Sequence, residues 1–232
     1  MAIKNLTTVL DQFVLVDLRE YFNNDAFSHD YLKCDGNFDS GGATYPAEEL
    51  PRSNSIICNN GIPFFFPSKN DGFLNNMALN GQTICIPNDI YKCIHILGAV
   101  EGSGGEVYEE EVTISFENGT YKTVILKLSN WLLPAKYNEI PAFYCSHLHY
   151  PDMGQIPNAN TKIQNIKTYI DDRNISYQTQ YDKQSDIENI NKNIWRPRIW
   201  LQKTTFKFKQ EIVALTFMEN INFHIFSMTL EK

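Results

Sequence analysis

Two histidines separated by one residue give this sequence its clearest potential for chemistry. His147 and His149 lie in the stretch 142–150, which we predict to be a β-strand. Because side chains alternate along a strand, both imidazoles would point to one face, a geometry that a metal site can use. Asp152 or His95 could supply the third ligand. Strand histidines that face solvent or a polar cleft are commoner, so hydrogen bonding to a ligand and a structural role both stay open.

A cysteine beside these histidines raises the question of nucleophilic catalysis. Cys145 would need an orienting partner and oxyanion donors, and the sequence shows neither, so we assign no catalytic residue. The chain has five cysteines, with no CxxC pair and no zinc-ligand spacing. An odd set of this kind favours thiols kept reduced in a cytosol over a secreted disulfide framework.

Aromatic side chains offer the flat apolar surface on which a pyranose ring can stack. Trp131, Trp195, Trp200, Tyr144 and Tyr150 are the candidates, although large aromatics more often pack in a core. Trp195 is the strongest of the tryptophans, because it ends a polar stretch in which burial is less assured. Tyr144 is the second candidate that we retain.

Carboxylates for glycosidic bond cleavage are harder to assign. A glycosidase needs two carboxyl groups that face each other across a cleft, about 5–10 Å apart. Glu109 and Glu111 share one face of a predicted strand and Glu110 lies on the opposite face. We therefore interpret this run as the solvated face of the strand.

The stretch 37–50 concentrates a carboxylate, two adjacent glycines, an aromatic ring and a proline. Asp39 could coordinate calcium or accept sugar hydroxyls, but an aspartate that caps a turn is the commoner arrangement. Gly41 and Gly42 predict a positive φ or a close backbone approach. Tyr45 could stack on a sugar, and packing beneath the loop is the role that we favour.

Composition sets limits on the class of protein. The chain has 232 residues, 43% of them hydrophobic, and a formal net charge of −7, which together indicate a globular rather than a disordered protein. The negative charge disfavours nucleic acid and anionic membranes as partners. Neither a signal peptide nor an apolar run long enough to span a membrane is apparent. We expect a soluble, cytoplasmic protein, or a secreted one if a leader has been removed.

Short strands separated by hairpin-type turns run along most of the sequence. Asn60-Gly61 and Asn118-Gly119 are hairpin signals, and 199–201 and 204–208 read as two separate strands. No long helical period is present, so we predict an all-β fold, an antiparallel β-sandwich or jelly roll. It would form a single domain over residues 1–232 with a polar surface excursion at about 171–193. The apolar first and last strands should lie close together in the core.

A family resemblance adds to this interpretation. Residues 37–51 read NFDSGGATYPAEELP and resemble the NFDGGGxSYPAEELP pattern of β-sandwich modules appended to bacterial glycoside hydrolases. Later blocks follow in the same order, namely GIPFFFP at 61–67, DGFLNN at 71–76, GQTI at 81–84, HILG at 95–98 and HIFSMTL at 224–230. The resemblance implies a galactose-binding-like sandwich with an accessory, carbohydrate-binding role. Such modules usually accompany a catalytic domain, and this chain contains none.

Three functions follow from these observations. The first is a non-catalytic carbohydrate-binding or accessory protein that needs no cofactor, although calcium could stabilise it; its ligand residues would be Tyr144, His147, His149, Asp152 and Trp195. The second is a small metal-assisted enzyme acting on carbohydrate through His147 and His149, with Asp39 as a further metal candidate. The third is a structural assembly domain that forms a homo-oligomer or joins a partner enzyme.

Overall fold

The computed structural model of the protein describes residues 8–10, 12–32, 35–102, 108–149 and 196–232. These residues form β-strands and two short 3₁₀ turns, Arg19–Tyr21 and Ala47–Glu49. The strands are β1 (Thr8–Leu10), β2 (Phe13–Val16), β3 (Phe27–Ser28), β4 (Tyr45–Pro46), β5 (Ser55–Asn59), β6 (Ile62–Phe66), β7 (Met77–Asn80), β8 (Thr83–Asp89), β9 (Cys93–Val100), β10 (Glu109–Phe116), β11 (Tyr121–Lys127), β12 (Ile140–Tyr144), β13 (Arg198–Thr205), β14 (Ile212–Phe217) and β15 (Glu219–Glu231). Within these ranges, no helix has the length and apolar character needed to cross a membrane.

The larger of the two main sheets has seven strands, in the order β1-β2-β15-β9-β13-β12, with β7 also paired to β15. The pairings within it are antiparallel. Strand β9 is buried along its whole length because it lies in the middle of the sheet. A strand covered on both faces needs no polar alternation, which explains a sequence that is apolar apart from His95.

The smaller main sheet contains four strands, in the order β11-β10-β14-β8. Along β10, Val112, Ile114 and Phe116 are buried, whereas Glu109 and Glu111 are exposed. This alternation confirms the predicted faces of the strand. A single apolar cluster contains residues of both sheets, so the sheets enclose one core. The fold is therefore an antiparallel β-sandwich, as the strand pattern predicts.

Two further predictions about strand pairing are confirmed. Strand β2 pairs with β15 near the end of the described chain, with Val16 opposite Met228. Strands β5 and β6 form a hairpin whose turn residues, Asn60 and Gly61, both have positive φ angles, 49° and 77°. Positive φ at both central residues matches the right-handed twist of the flanking strands.

The stretch 37–50 contributes rings to the core. Phe38 and Tyr45 are buried, with their ring centroids 5.0 Å apart, and each also packs against Trp131. The hydroxyl group of Tyr45 donates a 2.8 Å hydrogen bond to the carbonyl of Arg198. Tyr45 therefore packs inside the protein, and no face of its ring is available to a ligand.

Two strands differ from their predicted bounds. Strand β12 ends at Tyr144 rather than at residue 150, because Glu49 accepts a hydrogen bond from the Ser146 amide and takes that backbone out of the ladder. The two strands predicted at 199–201 and 204–208 form one strand, β13, since the intervening residues pair with the central strand β9. The excursion predicted at 171–193 lies outside the described residues.

Candidate functional site

A charged histidine held between two carboxylates follows the end of β12. His147 lies in a bend of the chain, with Nε2 3.0 Å from Asp30 Oδ1 and Nδ1 3.3 Å from Glu49 Oε1. Ser146 adds two hydrogen bonds to Glu49, 2.6 Å from its amide and 2.5 Å from its hydroxyl. We call these four residues, Asp30, Glu49, Ser146 and His147, the His147 cluster.

The charges of the His147 cluster follow from its contacts. Burial by itself lowers the pKa of His147, but the hydrogen bonds and charges of Asp30 and Glu49 raise it to about 9. Burial raises the pKa of Glu49, but hydrogen bonds from His147 and Ser146 lower it to about 2. At neutral pH the ring is therefore an imidazolium that donates from both nitrogens, and it has no lone pair to offer a metal ion.

Glu49 reaches the cluster from the turn Ala47–Glu49, which the sequence shapes locally. Pro46 fixes an extended entry to the turn, and Leu50, which precedes a proline, is extended on its other side. Lys69 holds the turn from outside, because its ammonium group donates to the carbonyls of Ala47 at 2.5 Å and of Leu50 at 2.8 Å. Burial lowers the pKa of Lys69.

A second histidine extends the same polar region through hydrogen bonds. His29 Nδ1 lies 2.8 Å from Glu48 Oε1, and His29 Nε2 lies 2.9 Å from the carbonyl of Lys69. Glu48 also accepts a 3.2 Å hydrogen bond from the amide of Asp30. The two adjacent glutamates, Glu48 and Glu49, thus position the loop that carries Asp30. The sequence signal for this role is the pair of carboxylates after Pro46.

The residues predicted as ligands take different positions. Tyr144 ends β12 and is half-buried, with the Arg196 guanidinium 5.9 Å from its ring centroid. His149 lies beyond the strand and exchanges two backbone hydrogen bonds with Thr44, of 2.8 and 3.0 Å. His147 and His149 therefore do not share the face of one strand. Asp152 and Trp195 lie outside the described residues.

Asp39, the remaining metal candidate, caps a turn. Its Oδ1 accepts hydrogen bonds from the amides of Gly41 at 2.9 Å and Ala43 at 2.8 Å. Gly42 has a φ of 77°, as the adjacent glycines predict. His95, the other candidate third ligand, lies on β9, and its imidazole contacts Cys93 and Glu231. Within the described residues, no hydrogen bond joins it to His147. The favoured turn-capping role of Asp39 is the one that the structure shows.

The candidate cysteine and two of the candidate tryptophans lie in the interior. Cys145 is fully buried, and burial, followed by the charges of Glu49 and Asp30, raises the pKa of its thiol well above the ordinary value. Trp131 and Trp200 are also buried, and the indole of Trp200 donates a 3.0 Å hydrogen bond to the carbonyl of Asn130. A neutral buried thiol is not a nucleophile, and a buried indole cannot stack on a ligand.

The fold and the His147 cluster define a β-sandwich domain with an ionic cluster fixed at the end of one strand. Comparison with protein families agrees with this class: the family model described as AziU2-like β-sandwich domain matches residues 12–232. The chain belongs to the AziU2-like β-sandwich domain family. A search of curated proteins finds no match. The family match supports the β-sandwich part of the resemblance noted in the sequence and carries no link to glycoside hydrolases.

Proposed function

We propose that this AziU2-like domain is a non-catalytic binding module for carbohydrate, with its ligand surface at Tyr144 and the His147 cluster. The observation that carries the proposal is the pair of contacts from His147 to Asp30 and Glu49, at 3.0 and 3.3 Å. They hold charged side chains in fixed positions before any ligand arrives. A ligand then loses little free energy in ordering the site.

The chemistry of the cluster suits a ligand rich in hydroxyl groups. Asp30 is 13% exposed, and its Oδ1 accepts from His147, while Oδ2 has no hydrogen-bond partner in the described part of the chain. A carboxylate oxygen in that position can accept a charge-assisted hydrogen bond from a sugar hydroxyl. Tyr144 supplies a half-buried ring nearby in sequence, and an aromatic ring can pack against the apolar face of a pyranose.

The charges favour binding over hydrolysis. A glycosidase needs one carboxyl group that carries a proton at working pH and a second on the other side of the scissile bond. Asp30 and Glu49 instead contact one and the same imidazole ring, and Glu49 has a pKa of about 2. Hydrogen bonds from Ser146 and His147 hold that glutamate as an anion, so it has no proton to donate.

Calorimetric titration with a panel of oligosaccharides tests this proposal. We expect saturable heat with at least one glycan, and at least about tenfold weaker binding for Tyr144→Ala, because a stacking ring makes a large contribution to binding. Tyr121→Ala is the matched control: this tyrosine is 72% exposed, on β11 of the smaller sheet, and its loss should leave affinity unchanged. An absence of binding heat with every glycan tested, or an equal change of affinity in Tyr144→Ala and Tyr121→Ala, would overturn the proposal.

A second candidate, an assembly domain that pairs with another copy of itself, is favoured by one observation. Tyr31, Leu32, Phe73 and Leu74 are exposed apolar residues on two loops that the contact between His29 and Lys69 joins. Several exposed apolar residues on neighbouring loops often mark an interaction surface.

Light scattering tests whether the chain forms such a dimer. We expect a dimeric mass that Phe73→Ser reduces and that Ile221→Ser, a control at another exposed position, leaves unchanged. A monomeric mass for the unmodified chain at all concentrations would eliminate it.

A further inference from the structure

A second group of potentially ligating side chains lies on the central strands of the larger sheet. In the register of β9 and β15, Cys93 is opposite Glu231 and His95 is opposite Thr229. Residues two apart on a strand share a face, and so do directly opposed residues of antiparallel strands. Cys93, His95 and Glu231 therefore lie on one face of the sheet. We call them the Cys93 triad.

The ligand atoms of the Cys93 triad converge on one point. Cys93 Sγ lies 3.3 Å from His95 Nε2 and 3.0 Å from Glu231 Oε2, and His95 Nε2 lies 2.9 Å from the same Glu231 oxygen. Ligand atoms around a tetrahedral zinc ion are about 3.4–3.6 Å apart, since its bonds are about 2.1 Å long to nitrogen and oxygen and about 2.3 Å long to sulfur. Each pair of atoms would therefore separate by roughly 0.3–0.6 Å on binding the ion.

The three side chains of the triad differ in burial, and the exposed part of Glu231 gives a metal ion access to the site. Cys93 and His95 are buried, whereas the Glu231 side chain is 23% exposed. The Phe13 ring packs edge-on against the His95 imidazole, with centroids 6.5 Å apart, and restricts the orientation of the ring. The site thus has two fixed interior ligands and one adjustable ligand at the surface, and solvent can supply a fourth.

A lysine already supplies positive charge at this surface. Lys203 pairs with His95 in the register of β13 and β9, and its ammonium nitrogen lies 3.5 Å from Glu231 Oε2. Its side chain is 54% exposed, so the ammonium group can move into solvent when another cation takes its place. Lys203 should therefore compete with a metal ion without blocking access to it.

We propose that the Cys93 triad is a zinc site, formed by one thiolate, one imidazole and one carboxylate, with a solvent molecule in the fourth position. Within the described ranges, the Cys93 triad is the group of three His, Cys, Asp or Glu side chains whose ligand atoms all lie within 4.8 Å of one another. A sulfur, nitrogen and oxygen set suits a borderline ion such as Zn²⁺, whereas Ca²⁺ and Mg²⁺ require oxygen ligands. On binding, the thiol proton of Cys93 passes to solvent, and His95 and Glu231 contribute lone pairs.

Titration of the reduced full chain with Co²⁺, followed by displacement with Zn²⁺, tests the site. We expect a thiolate-to-cobalt charge-transfer band that saturates at one metal ion per chain and disappears when zinc is added. Cys93→Ser should abolish the band and weaken zinc binding by about tenfold or more. Cys85→Ser, which changes an exposed free cysteine on β8, is the matched control and should retain both.

Two further variants keep the test decisive if Cys93→Ser fails to fold. Glu231→Gln changes only the partly exposed ligand and should weaken zinc binding while the cobalt-thiolate band persists. Lys203→Ala should strengthen zinc binding several-fold by removing the competing cation, whereas Lys207→Ala, at an exposed position outside the strands, should not. Absence of the band in the unmodified chain, or an unchanged band in Cys93→Ser, would overturn the assignment.

Discussion

His147 Nε2 and Asp30 Oδ1 are 3.0 Å apart, although 117 residues separate them in the chain. The bond joins the loop after β3 to the bend after β12, two segments without a regular strand pairing to each other. Because the imidazole is charged at neutral pH, the contact is an ion pair as well as a hydrogen bond. The geometry of the proposed ligand surface depends on it.

Removing the imidazole should destabilise the fold. In His147→Ala, the Glu49 carboxylate, whose side chain is 1% exposed, stays buried without its cation. We expect the free energy of unfolding to fall by about 3 kcal/mol, measured by urea denaturation. His29→Ala is the control, because its partner Glu48 is 25% exposed and the loss should be about 1 kcal/mol or less. Equal losses for the two variants would contradict this account.

The same histidine should make stability depend on pH on the alkaline side. Asp30 and Glu49 outweigh the effect of burial and raise the pKa of His147 from 6.5 to about 9 in the folded state. Its contribution to stability is therefore complete below pH 6.5 and is lost as the pH rises through about 9. Urea denaturation should show the unmodified chain and His147→Gln converging in stability towards alkaline pH. A constant difference between them would be the contrary result.

His224 should produce the opposite dependence on the acid side. Its Nδ1 lies 2.7 Å from Asn76 Oδ1, and burial lowers its pKa from 6.5 to about 3. The unfolded chain takes up the proton first, so stability falls as the pH drops from 6.5 towards 3. Thermal unfolding of His224→Gln should show a weaker acid dependence than that of the unmodified chain. Parallel curves for the two proteins would refute this role.

Tyr45 should stabilise the fold through its hydroxyl group as well as its ring. Tyr45→Phe keeps the packing against Phe38 and Trp131 but leaves the buried carbonyl of Arg198 without this donor. We expect a loss of about 1–2 kcal/mol in the free energy of unfolding. Tyr121→Phe, at a position that is 72% exposed, should have no measurable effect. An unchanged free energy of unfolding in Tyr45→Phe would mean that this hydrogen bond contributes nothing to stability.

Local features of the sequence predicted the fold well. Asn60-Gly61 and Gly119 determine hairpins through positive φ angles that few other residues adopt, and the alternation along β10 identifies its buried face. The strand bounds that were predicted wrongly depend on contacts with residues that are distant in the sequence. Strand β12 stops where Glu49 accepts a hydrogen bond from the Ser146 amide, and no feature of 142–150 itself signals that contact.

The sites were predicted less completely than the fold, for the same reason. His147 was identified by its residue type, but its partners Asp30 and Glu49 come from other loops, and they turn a possible metal ligand into a cation. The sequence has no zinc-ligand spacing, because 136 residues separate His95 from Glu231 and only the pairing of β9 with β15 brings them together. Sequence distance carries no information about such contacts until the register of the sheet is known.

Nitrogen NMR of the histidine rings tests carbohydrate binding at the His147 cluster most directly. At neutral pH, we expect the His147 ring to give the signals of an imidazolium protonated on both nitrogens. With a saturating oligosaccharide, these signals should shift, while those of the buried His224 stay unchanged. Oligosaccharide binding that leaves the His147 signals in place, or a His147 ring that is neutral at that pH, would contradict the account.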